Sequence, residues 1–319
     1  MKRWMQWVAA FLMAAWCVAA GAQAWPSKPI RIVIPFPPGS PGDMLARLVQ
    51  GDVQAKLGQP LVIDNKPGAG GNIGALEVAR STDGYTFLIA PDSVVTINPH
   101  LYAQFKRALG EDLVPVSQLA AASLMLVCYR DFGIKSMSDF IATGKSKPFN
   151  YASGGPGSPA HMTMELLSSQ VGVKLTHVAY RGPGPAVQDI LAGVVPCGFI
   201  ASTVAGPLLK EGRIVAIGVA SSAHSPGSPD VPTIAEVGVP GFDVSFAETL
   251  FAPRSTSPEI AARLRQVIVD ALQKPEIRTR MLGVELLPMG STTPEAAARI
   301  RADYSKWGEV SSRIGLQLD

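Results

Sequence analysis

The stretch Pro29-Ile30-Arg31-Ile32-Val33-Ile34-Pro35-Phe36-Pro37-Pro38-Gly39-Ser40-Pro41-Gly42-Asp43 decides the fold. Its first half is a short, mostly β-branched apolar run, the composition of a buried strand. Its second half is a turn, after which Met44, Leu45, Leu48, Val49 and Val53 recur at helical spacing. Ser before Pro signals a helix start, because the hydroxyl caps free backbone N–H groups and Pro fits the first helical position. The phrase returns as Gly157-Ser158-Pro159-Ala160-His161, again after a strand-like run and ahead of an amphipathic segment. Each start leaves backbone donors and the positive end of a helix dipole pointing forward. Two of them suit one small anion gripped from opposite sides.

Outward from these anchors, strand and helix signals alternate. Residues 61–64 and 85–90 predict strands, separated by the Gly-rich turn 65–72 and a helix over 73–80. A second series has strands at 124–129, 150–152, 176–180, 198–201 and 215–220, with helices over 158–171 and 184–192. From residue 257 the chain is almost all helix, with cap-plus-Pro starts at Ser257-Pro258-Glu259 and Thr293-Pro294-Glu295. The pattern predicts two α/β lobes with mostly parallel sheets. A ligand cleft is expected at the carboxyl ends of the strands.

The first 24 residues read as a cleavable signal peptide: Lys2 and Arg3, an apolar stretch over 4–18, and the small-x-small site Ala22-Gln23-Ala24. The apolar run falls short of a membrane span, and Trp16 before Cys17 disfavours a lipoprotein. Cleavage leaves 295 of the 319 residues, enough for two lobes, and takes the formal charge from +3 to +1. The basic residues are scattered, which excludes the concentrated cationic face that nucleic acid needs. Of three cysteines, Cys128 and Cys197 remain, both in apolar strand-like surroundings. A disulfide-dependent scaffold carries many more, so buried free thiols are expected rather than a pair.

Catalytic patterns are missing. Gly68 and Gly70 start a dinucleotide fingerprint, but Ile73 occupies the third glycine position, and there is no phosphate loop. Pro38 and Pro156 stand where a nucleophile elbow needs its first Gly. His100, His161, His177 and His224 show no metal-ligand spacing. His161, in the first turn of its helix, is either a ligand-facing donor or a residue tying down its loop. Asp43 is either the acidic member of a capping box with Ser40 or a ligand contact. The sequence supplies donors and turns for holding a molecule and little for transforming one, so no enzyme, cofactor or metal is expected.

Seven ordered motifs then carry a resemblance. They are Pro29 to Gly39, Asn65-Lys-Pro-Gly-Ala-Gly-Gly-Asn-Ile-Gly74, Ile97-Asn98-Pro99, and Tyr151-Ala-Ser-Gly154 with Gly157-Ser158 and His161. His177-Val-Ala-Tyr-Arg-Gly182, Val231-Pro-Thr-Ile-Ala-Glu236 and Phe251-Ala-Pro253 complete the set. Together the chain resembles the Bug or TctC family, extracytoplasmic solute receptors of tripartite tricarboxylate transporters. The resemblance implies a type II periplasmic binding protein. Residues 25–123 and 247–319 would form the first lobe, 124–246 the second, with the C-terminal helices returning to the first. It implies a monomeric periplasmic receptor that closes by a hinge over a small carboxylate and delivers it to membrane transporter subunits. The implied ligand contacts are Phe36, Pro38, Gly39, Ser40, Gly42, Asp43, Asp92 and Ser93 from the first lobe. From the second come Ser153, Gly154, Ser158, His161, Tyr180, Ile200 and Ala201.

The chain departs from the family pattern in places. Ser40 and Gly42 stand where Gly and Thr are usual, Asp92 where Thr is common, Ile200 in place of Asp and Ala247 in place of a frequent Trp. Asp92, at the end of the third strand, is expected beside the cleft or else as a solvated or capping residue. Facing the ligand, it would repel a second carboxylate. Two other roles stay open: a solute sensor serving a signalling partner, and a secreted hydrolase, against which the missing elbow counts.

Overall fold

The structure is a computed structural model that describes residues 25–102, 105 and 110–318. The expected signal peptide lies outside these residues. Among them, eleven strands form two sheets.

The first sheet begins with β1 (Ile30–Ile34), α1 (Pro41–Leu57), β2 (Leu61–Asn65), α2 (Asn72–Ala79) and β3 (Thr86–Pro91). Both β2 and β3 pair with β1 in parallel. Two one-turn helices follow, α3 (Ser93–Thr96) and α4 (Asn98–Leu101), then β4 (Leu113–Ala122). The second sheet holds β5 (Leu124–Tyr129), β6 (Asn150–Ser153), β7 (Thr176–Ala179), β8 (Cys197–Ala201) and β9 (Ile214–Val219). Its helices are α5 (Met137–Ser146), α6 (Pro159–Val171), α7 (Pro183–Leu191) and α8 (Ser202–Lys210). The chain then returns through β10 (Phe246–Pro253), α9 (Pro258–Leu272), α10 (Pro275–Gly283), β11 (Leu286–Pro288) and α11 (Thr293–Ile314).

The strand orders are β11-β4-β10-β3-β1-β2 and β7-β6-β8-β5-β9. The expectation of mostly parallel sheets is corrected: both sheets are mixed. β10 runs antiparallel to β3 and β4, and β5 runs antiparallel to β8 and β9. The cause is the double crossing. β4 leaves the first sheet, β10 re-enters it beside β3, and strands that return from elsewhere need not follow the βαβ direction.

Each lobe has its own buried apolar centre. Ile30, Ile32, Leu45, Val49 and Phe87 pack with Leu264 and Ile268 of α9, which fixes that helix on the first sheet. The second centre gathers Leu126, Phe140, Tyr151, Leu167 and Phe199, and Trp307 of α11 joins it by stacking on Phe246 at 5.7 Å. The C-terminal helix therefore braces the point where β10 crosses. Glu285 fastens the same side, accepting from the Ser228 hydroxyl at 2.6 Å and the Gly227 N–H at 3.2 Å.

The expectation of free thiols is also corrected. Cys128 and Cys197 form a disulfide, with Cα atoms 4.1 Å apart. They are direct partners in the antiparallel β5–β8 register, a placement that puts two side chains on one face within bonding reach.

Candidate functional site

The two Gly-Ser-Pro turns meet at one pocket. In the first lobe, β1 runs out at Phe36 and the chain folds back so that the Ser40 N–H donates to Pro37 O at 3.2 Å. Gly39 has φ +83°, and its N–H donates to Asp43 Oδ2 at 2.9 Å. Arg47, one turn on, donates to the same carboxylate at 3.0 Å. Burial opposes the charge on Asp43, but the hydrogen bonds from Arg47 and Gly39 prevail and hold its carboxyl below the usual range.

The second lobe repeats this build with different chemistry. The Ser158 N–H donates to Gly155 O at 3.1 Å, Gly157 has φ +74°, and its N–H donates to His161 Nδ1 at 3.0 Å. The Ser158 hydroxyl accepts from the His161 N–H at 3.4 Å, a true cap. The His161 ring stacks on His177 at 3.9 Å, and His177 Nε2 shares a 2.6 Å hydrogen bond with the Ser153 hydroxyl. Burial, and for His161 also the adjacent His177, push the two rings down to about 3 and about 4, so both are neutral at pH 7.

Between these turns lies a cavity that opens to solvent, with about 740 Å³ of empty space counted out past its mouth. Three helix starts line it: Pro41 and Gly42 of α1, Pro159 and Ala160 of α6, and Pro183 and Ala186 of α7. The N–H groups of a first helical turn have no partner within their own helix, so Gly42 and Ala160 offer donors there. Ile34, Ile89, Leu124, Phe199 and Phe246 make the walls. The lobes touch at the rim, where a Cβ on Gly182 would stand 2.7 Å from the Pro37 ring.

Of the residues expected from sequence, Phe36, Ser40, Gly42, Gly154, Ser158, Ile200 and Ala201 line this cavity. Pro38 and Gly39 are exposed on the turn outside it. Asp43, Ser153 and His161 sit behind the lining and hold the turns. Tyr180 lines a neighbouring groove with Phe36 and the Gly-rich turn, its hydroxyl donating to Asp189 at 2.6 Å. Ser93 is buried at the start of α3.

Three local expectations are corrected. Ser40 makes no cap hydrogen bond. Asp43 reaches back to the N–H of Gly39, one residue before the capping-box position, and the Ser40 hydroxyl is left buried without a partner. Asp92 is neither cleft wall nor solvated, being 2% exposed with Oδ2 accepting from the Ala247 N–H at 3.1 Å. The acid in the cleft is Glu248, which sequence reasoning missed. Among the described residues it is the one ionisable side chain lining the cavity, and it is 4% exposed. Its signal was available: a charged residue inside the apolar run 246–253.

The site is built for holding. The Ser153 hydroxyl that meets His177 is already engaged with the N–H and the carbonyl of Gly155, and Ser153 does not line the cavity. That contact is loop architecture, not a nucleophile and base.

The sequence pattern of the family described as "Tripartite tricarboxylate transporter family receptor" matches residues 45–316. Protein BugT of Bordetella pertussis is 32% identical over 323 residues, covering 100% of this chain and 99% of its own length. An R. palustris protein solved with adipate superposes with TM-score 0.87 at 30% identity, covering 92% of this chain and 99% of the other. MatC from Rhodopseudomonas palustris with bound malate gives TM-score 0.84 at 32% identity, covering 90% and 99%.

Proposed function

The chain belongs to the tripartite tricarboxylate transporter receptor family, and on that premise we propose that it captures a small organic carboxylate in the periplasm and delivers it to membrane transporter subunits. It acts as a receptor and not as an enzyme. One observation carries this reading: three helix starts and the unpartnered Ser40 hydroxyl converge on one cavity with apolar walls. An anion there meets fixed donors and positive dipole ends without a cation or a metal, and each charge-assisted hydrogen bond contributes about 1.5–3 kcal/mol. A few such bonds support binding in the micromolar range, about −8 kcal/mol. The relatives solved with adipate and malate support a carboxylate as ligand. The Cys128–Cys197 disulfide suits an oxidising compartment.

The test is mass spectrometry of the small molecules released when the gently purified protein is denatured, followed by calorimetry with the acid identified. A carboxylate that binds one-to-one is the expected result. Release of only non-acidic solutes, with no carboxylate binding on titration, would overturn the reading.

A further inference from the structure

Glu248 enters the cavity from β10, opposite Pro91 of β3 and Ala120 of β4. Its Oε2 is buried and makes no hydrogen bond. The carboxyl fills the space in front of the α1 start, because a Cβ on Gly42 would stand 2.8 Å from Oε2. Gly42 is thus a residue whose missing side chain makes room for an acid. A buried acid without a partner inside a binding cavity is costly unless a ligand completes it.

Asp92 is the charged group that acts on Glu248, and Asp43, Glu77 and Asp303, on elements that flank β10 and the cavity, are engaged elsewhere. On the α1 side, Asp43 is taken by Arg47. On α2, Glu77 pairs with Arg31 and lies near Lys66. Beyond β3, Asp92 accepts from Ala247, and on α11 Asp303 pairs with Arg299. Among the described residues no cationic side chain lines the cavity; the exposed Arg181 belongs to the neighbouring groove, beyond Phe36 and Gly154.

We propose that Glu248 sets the ligand class, restricting the receptor to monoanions: acids with one carboxylate at the helix starts and an apolar or neutral hydrogen-bonding far end. This rests on the carboxylate-receptor reading above and narrows it. A second carboxylate would shed its water into an apolar space that offers one neutral acid and no cation, and two carboxylates sharing such a site cannot both stay ionised cheaply. A neutral Glu248 donates one hydrogen bond to the ligand. Burial first, and then the neighbouring Asp92, push its carboxyl up to about 8, so it holds its proton at neutral pH. Asp92 is pushed up to about 7 by burial and by Asp303.

The experiment is calorimetry on the full mature chain with matched pairs, hexanoate against adipate and benzoate against terephthalate, at pH 6.5 and pH 9, for the parent protein and Glu248→Gln. The parent is expected to bind at least one monoacid ten-fold or more tightly than its matched diacid at pH 6.5. That monoacid affinity should fall five-fold or more by pH 9, as Glu248 ionises against the bound anion. Glu248→Gln, which keeps the shape and a donor but cannot ionise, should lose the pH dependence of whatever monoacid binding it retains. Equal or tighter binding of the diacid by the parent overturns the proposal even if the variant does not fold, and so does a pH dependence unchanged in Glu248→Gln. Diacid binding without a monoanion preference leaves the carboxylate-receptor reading standing. Failure of all four acids on the parent, joined by release of a non-acidic native solute, overturns both.

Discussion

At residues 39–43 a carboxylate receives the glycine N–H, and at residues 157–161 an imidazole receives it. The two turns otherwise coincide: a positive-φ glycine, a serine whose N–H donates three residues back, a proline at the helix start, and an acceptor four residues after the glycine. In the first lobe the acceptor is charged and tied to Arg47, and the serine hydroxyl is idle. In the second the acceptor is neutral, buried in a ring stack, and the serine caps it. The difference teaches that one backbone solution, donors fixed at a helix start, is reached by opposite electrostatic routes. Of the two serine hydroxyls, only that of Ser40 is left without a partner at the cavity.

The glycines give the largest expected contrast. A side chain at either position meets a left-handed backbone, which costs about 1–2 kcal/mol. At Gly39 nothing lies within 4 Å of a new Cβ, so Gly39→Ala should lose only that strain. At Gly157 the Cβ would stand 2.7 Å from Asn98 Oδ1, and Asn98 is itself bonded to Asn72 and Gly70, so overpacking adds roughly 1–3 kcal/mol. Urea unfolding of both variants checks this. Equal losses would mean that the second turn is no more tightly enclosed than the first.

The acceptors come next. His161→Ala strands the buried Gly157 N–H, a loss of about 1–3 kcal/mol, and opens a gap beside His177. Asp43→Asn keeps an oxygen for the Gly39 N–H and gives up an ion pair with a half-exposed arginine, about 1 kcal/mol or less. The two anchors also part company in acid. An unfolded histidine takes up its proton near 6.5, while His161 and His177 resist until about 3 and about 4. Their contribution is full above pH 6.5 and drains as pH falls, by up to about 1.4 kcal/mol per pH unit per ring. Asp43, held below the usual carboxylate range, contributes fully above the unfolded carboxylate value of about 3.9 and loses that contribution only below it, as pH falls through its lowered value. Amide exchange corrected for intrinsic rates should therefore show the Gly157 N–H losing protection between pH 7 and pH 5 while the Gly39 N–H does not. Parallel behaviour would erase the distinction between the anchors. Global unfolding is a poorer probe here. Glu248 and Asp92 keep protons that the unfolded chain has lost, so their effect on stability falls as pH rises toward about 8, opposing the histidines.

These turns were legible because their chemistry is local. Gly, Ser and Pro state backbone needs within five residues, and the β1–α1 and β6–α6 units followed from them. The two strands that cross between lobes were not legible as strands. β4, Leu-Val-Pro-Val-Ser-Gln-Leu-Ala-Ala-Ala, neither alternates nor avoids proline, and its partners β10 and β11 come more than a hundred residues later. Long-range register also hid the disulfide, since nothing near Cys128 says that Cys197 will lie opposite. The site divided along the same line. Residues offered by turns, such as Ser40, Gly42 and Ser158, were placed at the cavity, whereas Glu248, brought in by the crossing strand, was missed. The acid read into the cleft at Asp92 belongs one strand away, bonded to Ala247.

The serines give the smallest effect and the sharpest use of the comparison. Ser158→Ala removes a cap whose 3.4 Å hydrogen bond is long, so a loss of about 0.5–1 kcal/mol is expected in the empty protein. Ser40→Ala removes a buried hydroxyl that bonds to nothing, and relieving it should leave stability within about 0.5 kcal/mol of the parent or slightly above. The cost should appear on titration with the bound acid instead, as a three- to ten-fold weaker affinity, about 0.7–1.4 kcal/mol, because the backbone donors remain. Stability loss in Ser40→Ala matching that of Ser158→Ala, with affinity unchanged, would make Ser40 a cap like its counterpart. The idle hydroxyl would then have no claim on the ligand.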